Sequence, residues 1–166
     1  MKATRAALMA AFVLAAAWAG GSESAMATPS DATAGLFAVV PQAPRTAKAV
    51  TAALSKVGAS YASGAAGPDA FDCSGLTMWA LAHAGIAAPH SSFAQYAMGS
   101  AVARSDIRRG DLVFFDSFGA GASHVGIAIS PTTAVSATSH GVMTHPIFDA
   151  YWGGHYVGSR RLADAG

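Results

Sequence analysis

The sequence contains one cysteine, Cys73, at the start of an apolar segment with helix-forming residues. The first turn of a helix carries free backbone N–H groups and the positive end of the helix dipole, and both stabilise a thiolate. The same N–H groups can face the oxyanion of a tetrahedral intermediate, and the amide of Cys73 is our candidate donor. The position therefore predicts a nucleophilic cysteine, against the alternative of a buried and unreactive thiol.

A cysteine nucleophile requires a base at hydrogen-bond distance, and His124 is the best-placed candidate. It begins the β-prone run His124-Val125-Gly126-Ile127, so a strand end would hold its ring rigidly. We expect Gly126 to keep this strand thin where the helix of Cys73 crosses it. Four other histidines are considered as metal ligands: His83, His90, His145 and His155. They show no zinc-ligand spacing such as His-x-x-x-His, so we expect no metal and no cofactor.

Three helices are expected before the strands, and the second of them carries the cysteine. The first is predicted over Thr46–Val57 and ends at Gly58, and the second runs from Cys73 to Gly85. A third, short helix is predicted over Ser91–Met98. The segments between them are expected to be a glycine-rich loop, Ser63 to Gly67, and a loop from Ala101 to Arg109 that leads to a sheet.

The second half of the chain consists of short β-prone runs separated by Gly, Pro, Ser and Thr. Helices followed by consecutive strands favour an α+β fold, in which helices pack on one side of an antiparallel sheet. The predicted strands are Leu112–Phe115, His124–Ser130, Ala134–Thr138, Val142–His145 and Tyr156–Arg161.

The N-terminal region has the pattern of a secretory signal peptide. Lys2 and Arg5 precede an apolar run from Ala6 to Ala19, and Ala25-Met26-Ala27 provides a cleavage pattern of small residues. About 14 apolar residues fall short of the roughly 20 that a spanning helix needs, so we expect no stable membrane insertion after cleavage. The expected organisation is a signal peptide (1–27), a linker or arm (28–45), the folded domain (46–162) and a short tail (163–166).

The charge of the chain excludes two classes of partner. Ten Lys and Arg against nine Asp and Glu give a formal charge of +1 over 166 residues. Nucleic acid or anionic lipid would require a much stronger basic field. We expect a secreted or wall-associated monomer that binds no nucleic acid.

Three motifs occur together in an order and spacing that resemble the NlpC family of bacterial cell-wall cysteine peptidases. They are Phe71-Asp72-Cys73-Ser74-Gly75-Leu76, Arg109-Gly110-Asp111-Leu112-Val113-Phe114-Phe115 and His124-Val125-Gly126-Ile127. The likeness extends from about Tyr61 to Arg161 and includes the segment from Pro89 to Gln95, after the nucleophile helix.

This resemblance implies a papain-like α+β fold, with Cys73 as nucleophile and His124 as base. It implies hydrolysis of peptide bonds in peptidoglycan stem peptides, typically between D-isoglutamate and the diamino acid. Tyr61 matches a tyrosine near the oxyanion site of the family. Asp72 and Ser74 match positions that contact substrate, and His90 lies in the loop that corresponds to a substrate-facing segment.

The chain departs from the family at the residue that orients the base. Family enzymes usually have His, Asn or Gln there on the next strand, and the corresponding residue is Ser136. A serine is shorter, so it would act directly or through water. His140 is one alternative, and the absence of any third residue is another; loss of the orienting group can cost up to about 10⁴-fold in rate.

Three hypotheses follow for the function. The first is a secreted cysteine endopeptidase of cell-wall peptides that uses a Cys73 thiolate and a His124 imidazolium. The second is a weakly active or inactive module that binds peptidoglycan without cutting it. The third is an amidase, transferase or antibacterial effector on the same fold.

Overall fold

The computed structural model describes residues 44–163. The predicted signal peptide, nearly all of the predicted linker and the last three residues lie outside the described residues. Within 44–163, no helix combines the length and the apolar content needed to cross a bilayer.

Three helices form the first half of the described chain. They are α1 (Arg45–Leu54), α2 (Cys73–His83) and α3 (Ser92–Tyr96). Helix α1 buries one stripe, Thr46, Ala49, Val50 and Ala53, which is the spacing of one face of an amphipathic helix. It ends three residues earlier than the predicted Val57, and a turn continues to Gly58, which has a positive φ of 92°.

Eight strands are found in residues 44–163 besides these helices. Two short parallel strands, β1 (Ser60–Tyr61) and β2 (Ala70–Phe71), flank the glycine-rich loop. The other six form an antiparallel sheet in the order β3-β8-β4-β5-β6-β7. They are β3 (Ser100–Val102), β4 (Leu112–Phe115), β5 (His124–Ala128), β6 (Thr133–Thr138), β7 (Gly141–Pro146) and β8 (Tyr156–Arg161).

The sheet has a buried core on each face. On the first face, apolar residues of β4, β5 and β6 pack against α1 and α2, and Cys73 belongs to this core. The second face is covered by the chain between the strands, and its core is Ile107, Val113, Phe115, Ala128, Ala134 and Ile147. The predicted α+β arrangement, with helices on one side of an antiparallel sheet, is confirmed.

The segment expected to be a loop, Ala101 to Arg109, contains regular structure instead. Its start belongs to edge strand β3, which pairs with β8, and Arg104–Asp106 is a 3₁₀ turn. Gly110 then turns into β4 with a positive φ of 96°. The following Asp111 is 2% exposed and accepts hydrogen bonds from Arg161 at 2.8 Å. This ion pair, in which only the carboxylate is buried, joins β8 to the turn before β4.

Candidate active site

Asp72 connects helix α2 to the two loops beside it. Its carboxylate caps the helix, because Oδ1 accepts from the backbone N–H of Gly75 at 2.6 Å. Oδ2 accepts from the N–H of Gly64 at 2.9 Å, and His90 Nε2 lies 2.9 Å from Oδ1. Burial alone would raise the pKa of Asp72, but the hydrogen bonds from Gly75, His90 and Gly64 outweigh it and lower that pKa.

Cys73 is the first residue of α2, as predicted, and it is 9% exposed. The backbone N–H groups of Val125, Ser74 and Cys73 itself lie close enough to the sulfur to lower its pKa. Val125 follows His124 directly, so the sulfur lies against the start of β5. Burial raises the pKa of the thiol, and the Asp72 charge adds to this; the amide hydrogen bonds act in the opposite direction without cancelling it.

His124 begins β5, as predicted, and its side chain is fully buried. Nε2 lies 3.1 Å from Ser136 Oγ, whereas Nδ1 has no hydrogen-bond partner among the described residues. The ring is packed by three aromatic side chains, with centroid separations of 6.0 Å to Phe115, 5.2 Å to Phe118 and 5.4 Å to Trp152. Burial, and secondarily the charge of His145, lowers the pKa of His124 to about 3.

These two pKa directions oppose the resting ion pair expected from the sequence. A raised pKa at Cys73 and a lowered pKa at His124 both favour a neutral thiol beside a neutral imidazole. We expected the ion pair because the helix start and its dipole lower the pKa of a thiol. The cost of burying the thiolate raises the pKa of Cys73 by more. Both pKa directions therefore favour a resting site in which the two candidate reacting groups are uncharged.

Ser136 reaches His124, but it does not act alone. Its hydroxyl also lies 2.8 Å from Nε2 of His145 on β7, a residue that the sequence analysis considered only as a metal ligand. The alternative orienting residue, His140, lies in the turn after β6, where its ring contacts Ser139 at 3.4 Å. No hydrogen bond joins His140 to His124 within the described part of the chain.

The four candidate substrate residues lie around the start of α2. Burial raises the pKa of Tyr61, and the charges of Cys73 and Asp72 raise it further, which puts its hydroxyl in their field. The hydroxyl of Ser74 is buried and donates to Asp72 at 3.1 Å. His90 is exposed and paired with Asp72. Their contacts with substrate remain predictions.

The glycines near the site serve internal packing. A Cβ on Gly75 would lie 2.1 Å from the carbonyl oxygen of Ala65, and one on Gly67 would lie 2.7 Å from the Phe71 ring. At Gly126 the nearest atom is the carbonyl oxygen of Val135 on β6, at 2.9 Å. The expectation that Gly126 makes room for the nucleophile helix is therefore wrong, because the neighbouring strand occupies that space. The space beside Gly67 and Gly75 is likewise filled by the chain itself.

Gln95 is a buried polar residue whose part in this region was not predicted. Its amide donates to the carbonyls of Pro89 at 2.7 Å and Ser74 at 3.0 Å, and its Oε1 lies 2.6 Å from the Thr77 hydroxyl. It thereby joins α3 to α2 and to the loop that carries His90. The resemblance to the family includes Gln95, at the end of the segment from Pro89, but no local pattern indicates that its side chain is buried.

A groove of about 360 Å³ lies beside His124. Phe118, 54% exposed, and Trp152 line it and also pack on the His124 ring. Trp152 thus packs against the core of the second face and also lines this groove. Across residues 44–163, no three side chains of the His, Cys, Asp and Glu types are grouped as a metal site would require.

In this fold a helix that begins with cysteine packs on an antiparallel sheet, against a strand that begins with histidine. This arrangement is typical of papain-like proteins. Comparison with known proteins agrees with this class. The sequence model of the NlpC/P60 family matches residues 58–161, more than half of the chain. The chain belongs to the NlpC/P60 family.

Three relatives illustrate the relationship. A probable endopeptidase p60 of Listeria monocytogenes is 42% identical over 113 residues, which cover 68% of this chain and 23% of that protein. A probable endopeptidase of Mycobacterium tuberculosis is 48% identical over 109 residues, or 61% of this chain and 28% of that protein. The solved structure of the peptidoglycan hydrolase RipB from Mycobacterium tuberculosis matches with a TM-score of 0.61 and 28% identity, over 71% of this chain and 64% of that one. The chain thus spans about a quarter of the two curated relatives.

The uncharged resting site leads to a prediction for thiol reactivity. The iodoacetamide alkylation rate of Cys73 should rise about tenfold per pH unit between pH 6 and 8, because the thiolate fraction is small and grows with pH. Mass spectrometry of time points across this range measures the rate, with free cysteine as the reference thiol. A rate that is constant from pH 5 to 8 would indicate a resting ion pair.

A second prediction concerns the stability contributed by Asp72. Asp72→Ala should lower the free energy of unfolding by about 1–2 kcal/mol at pH 7, because the helix loses its cap and the Gly64 amide loses its acceptor. The folded-state pKa of Asp72 is lowered, so its contribution is present above the unfolded pKa of about 3.9 and is lost as the pH falls through the folded value.

Urea unfolding at pH 7 and at pH 3 measures this difference. Ser91→Ala is the matched control, because Ser91 caps α3 through a single hydrogen bond at 3.3 Å and should cost less. Equal losses for the two variants at pH 7 would contradict the role given to Asp72.

Proposed function

We propose that this protein is a secreted cysteine endopeptidase that hydrolyses peptide bonds in peptidoglycan stem peptides. One observation carries the proposal: Cys73 stands at the start of α2 close to the Val125 amide, and the residue before Val125, His124, is buried with no hydrogen-bond partner at Nδ1, Cys73 Sγ included, among the described residues. A thiol at a helix start and an unpartnered imidazole nitrogen on the strand that packs against this helix can supply a nucleophile and a base.

The reaction begins from the neutral pair. As the substrate carbonyl arrives, His124 Nδ1 takes the thiol proton and the sulfur attacks the carbonyl carbon. The amides of Cys73 and Ser74 are the candidate donors to the oxyanion, with the Tyr61 hydroxyl nearby. The tetrahedral intermediate breaks its C–N bond, the leaving amine takes the proton from His124, and a thioester remains on Cys73.

Water completes the cycle. His124 removes a proton from the water molecule, whose oxygen attacks the thioester carbonyl. The C–S bond breaks, the sulfur recovers the proton from His124, and the carboxylic acid product leaves. Every proton in this scheme passes through one imidazole, and the chemistry requires no metal or cofactor.

The proposed substrate rests on the relatives and on the charges of the site. Two relatives carry the name probable endopeptidase and a third is called a peptidoglycan hydrolase. We propose the bond between D-isoglutamate and the diamino acid, as in typical family members. Asp72, Ser74 and His90 would contact the stem peptide beside the nucleophile. A cell-wall substrate places the enzyme outside the cell, where the predicted signal peptide would deliver it.

Purified muropeptides analysed by mass spectrometry test this function. We expect two fragments whose masses define a cut after D-isoglutamate, with a new amine on the diamino acid. Intact muropeptide that still binds the protein would overturn the proposal in favour of an inactive binding module. Cleavage at the bond between lactate and L-alanine would instead indicate an amidase.

A further inference from the structure

A chain of hydrogen bonds leads from His124 through two further side chains to a backbone carbonyl. His124 Nε2 lies 3.1 Å from Ser136 Oγ, and Ser136 Oγ lies 2.8 Å from His145 Nε2. His145 Nδ1 lies 2.9 Å from the carbonyl oxygen of Pro146. Exposure is 0% for His124, 0% for Ser136 and 3% for His145, so the hydrogen bonds between the side chains are shielded from water.

The carbonyl oxygen determines where the protons lie along this chain. It can only accept, so Nδ1 of His145 carries its hydrogen. A neutral imidazole has one N–H, so Nε2 of His145 is an acceptor and the Ser136 hydroxyl donates to it. That hydroxyl has no second proton, so its oxygen accepts from Nε2 of His124.

The consequence is a defined tautomer at the base. With its proton on Nε2, His124 has a bare lone pair on Nδ1, the nitrogen that has no partner among residues 44–163. Burial lowers the pKa of both histidines, which is consistent with one proton on each ring at neutral pH. In this tautomer Nδ1 is the nitrogen that can accept a proton, and under the proposed function that proton comes from Cys73.

We propose that His145 is a positioning residue that acts through Ser136 to fix the Nε2–H tautomer of His124. A serine hydroxyl can donate or accept, so Ser136 alone would leave the tautomer of His124 undetermined. His145 removes this ambiguity, because its own tautomer is set by the Pro146 carbonyl. The Trp152 ring stacks on His145 at a centroid distance of 3.9 Å and holds its orientation. The kinetic consequence rests on the proposed function, whereas the tautomer does not.

Nitrogen-15 NMR of the histidine side chains tests the tautomers directly. We expect His124 protonated at Nε2 and His145 protonated at Nδ1 in the unsubstituted protein at pH 7. In His145→Phe, which keeps an aromatic ring against Trp152, Ser136 can donate to His124 instead. A measurable fraction of His124 should then carry its proton on Nδ1.

Steady-state kinetics on muropeptides provide the second readout. We expect His145→Phe to lower kcat by about 10- to 100-fold with little change in KM, less than the roughly 10⁴-fold that complete loss of an orienting group can cost. His145→Gln should recover part of this loss, because an amide oxygen can accept from Ser136. Ser136→Ala combined with His145→Phe should be no slower than Ser136→Ala alone, since both act through one contact.

Two results would overturn the inference: His124 protonated at Nδ1 in the unsubstituted protein, or a tautomer unchanged in His145→Phe while kcat falls. The first can be observed even if no variant folds. If the protein shows the expected tautomers but cuts no muropeptide, the inference holds and the proposed function is wrong. If the protein cuts muropeptides but His124 has the opposite tautomer, the proposed function holds and the inference is wrong.

Discussion

Replacement of Cys73 by alanine is expected to reduce kcat for muropeptide hydrolysis by at least about 10⁴-fold. The thioester cannot form without the sulfur. Water is then the only nucleophile left at this position, and it is much weaker than a thiolate. The substitution removes one atom from a residue that is 9% exposed and leaves the Asp72 cap in place, so the fold should persist. Product formation followed by chromatography measures the rate.

Two controls accompany this variant. Thermal unfolding by circular dichroism should show the folded domain, and Ser105→Ala, an exposed substitution outside the site, should retain full activity. A Cys73→Ala protein with more than about a tenth of the original activity would require another nucleophile.

His124→Gln is expected to have the second largest effect, a loss of about 10³- to 10⁴-fold in kcat. The amide can replace the hydrogen bond to Ser136, but it cannot take a proton from the thiol. KM should change little, because the ring is buried and packed by Phe115, Phe118 and Trp152. Steady-state kinetics on the same muropeptide separate kcat from KM.

The matched control for this variant is His83→Gln. His83 is exposed at the end of α2, where it contacts the Trp79 carbonyl at 2.8 Å. Its replacement should leave kcat unchanged. Comparable losses in the two glutamine variants would show that the effect at His124 comes from a change in stability.

Local sequence patterns predicted most of the elements that position the site. The start of α2 at Cys73 follows from Asp72, a residue type that caps helices, and the predicted bounds of β4 and β8 agree with the observed ones. Edge strand β3 was missed because Ser100–Val102 is only three residues long, too short to show an alternating pattern, and is held by pairing with β8, some 60 residues away. Such pairing leaves no local signal.

The proximity of His145 to Ser136 could have been predicted from the sequence. Ser139 and His140 form a two-residue turn that pairs Thr138 with Gly141, and this register puts His145 opposite Ala134. Ser136 is two residues from Ala134 on the same face, so the two side chains are diagonal neighbours. The strands were predicted, but the register was not worked out.

The pKa of Cys73 is raised, whereas the sequence predicted a lowered value, and this difference has another cause. A sequence shows that a thiol stands at a helix start, where the dipole favours its charged form. It does not show how deeply the surrounding chain buries the sulfur. Here burial is the largest influence on the pKa, and it depends on the packing of α2 against β5.

The central claim is that Cys73 attacks an acyl carbon with His124 as its base. An acyloxymethyl ketone built on L-alanyl-γ-D-glutamate, incubated with the protein and followed by intact mass and peptide mapping, tests it directly. We expect one equivalent of label on Cys73 and a labelling rate at least about 100-fold lower in His124→Gln. An unlabelled Cys73 in a protein that cuts muropeptides, or equal labelling rates in the two proteins, would contradict the claim.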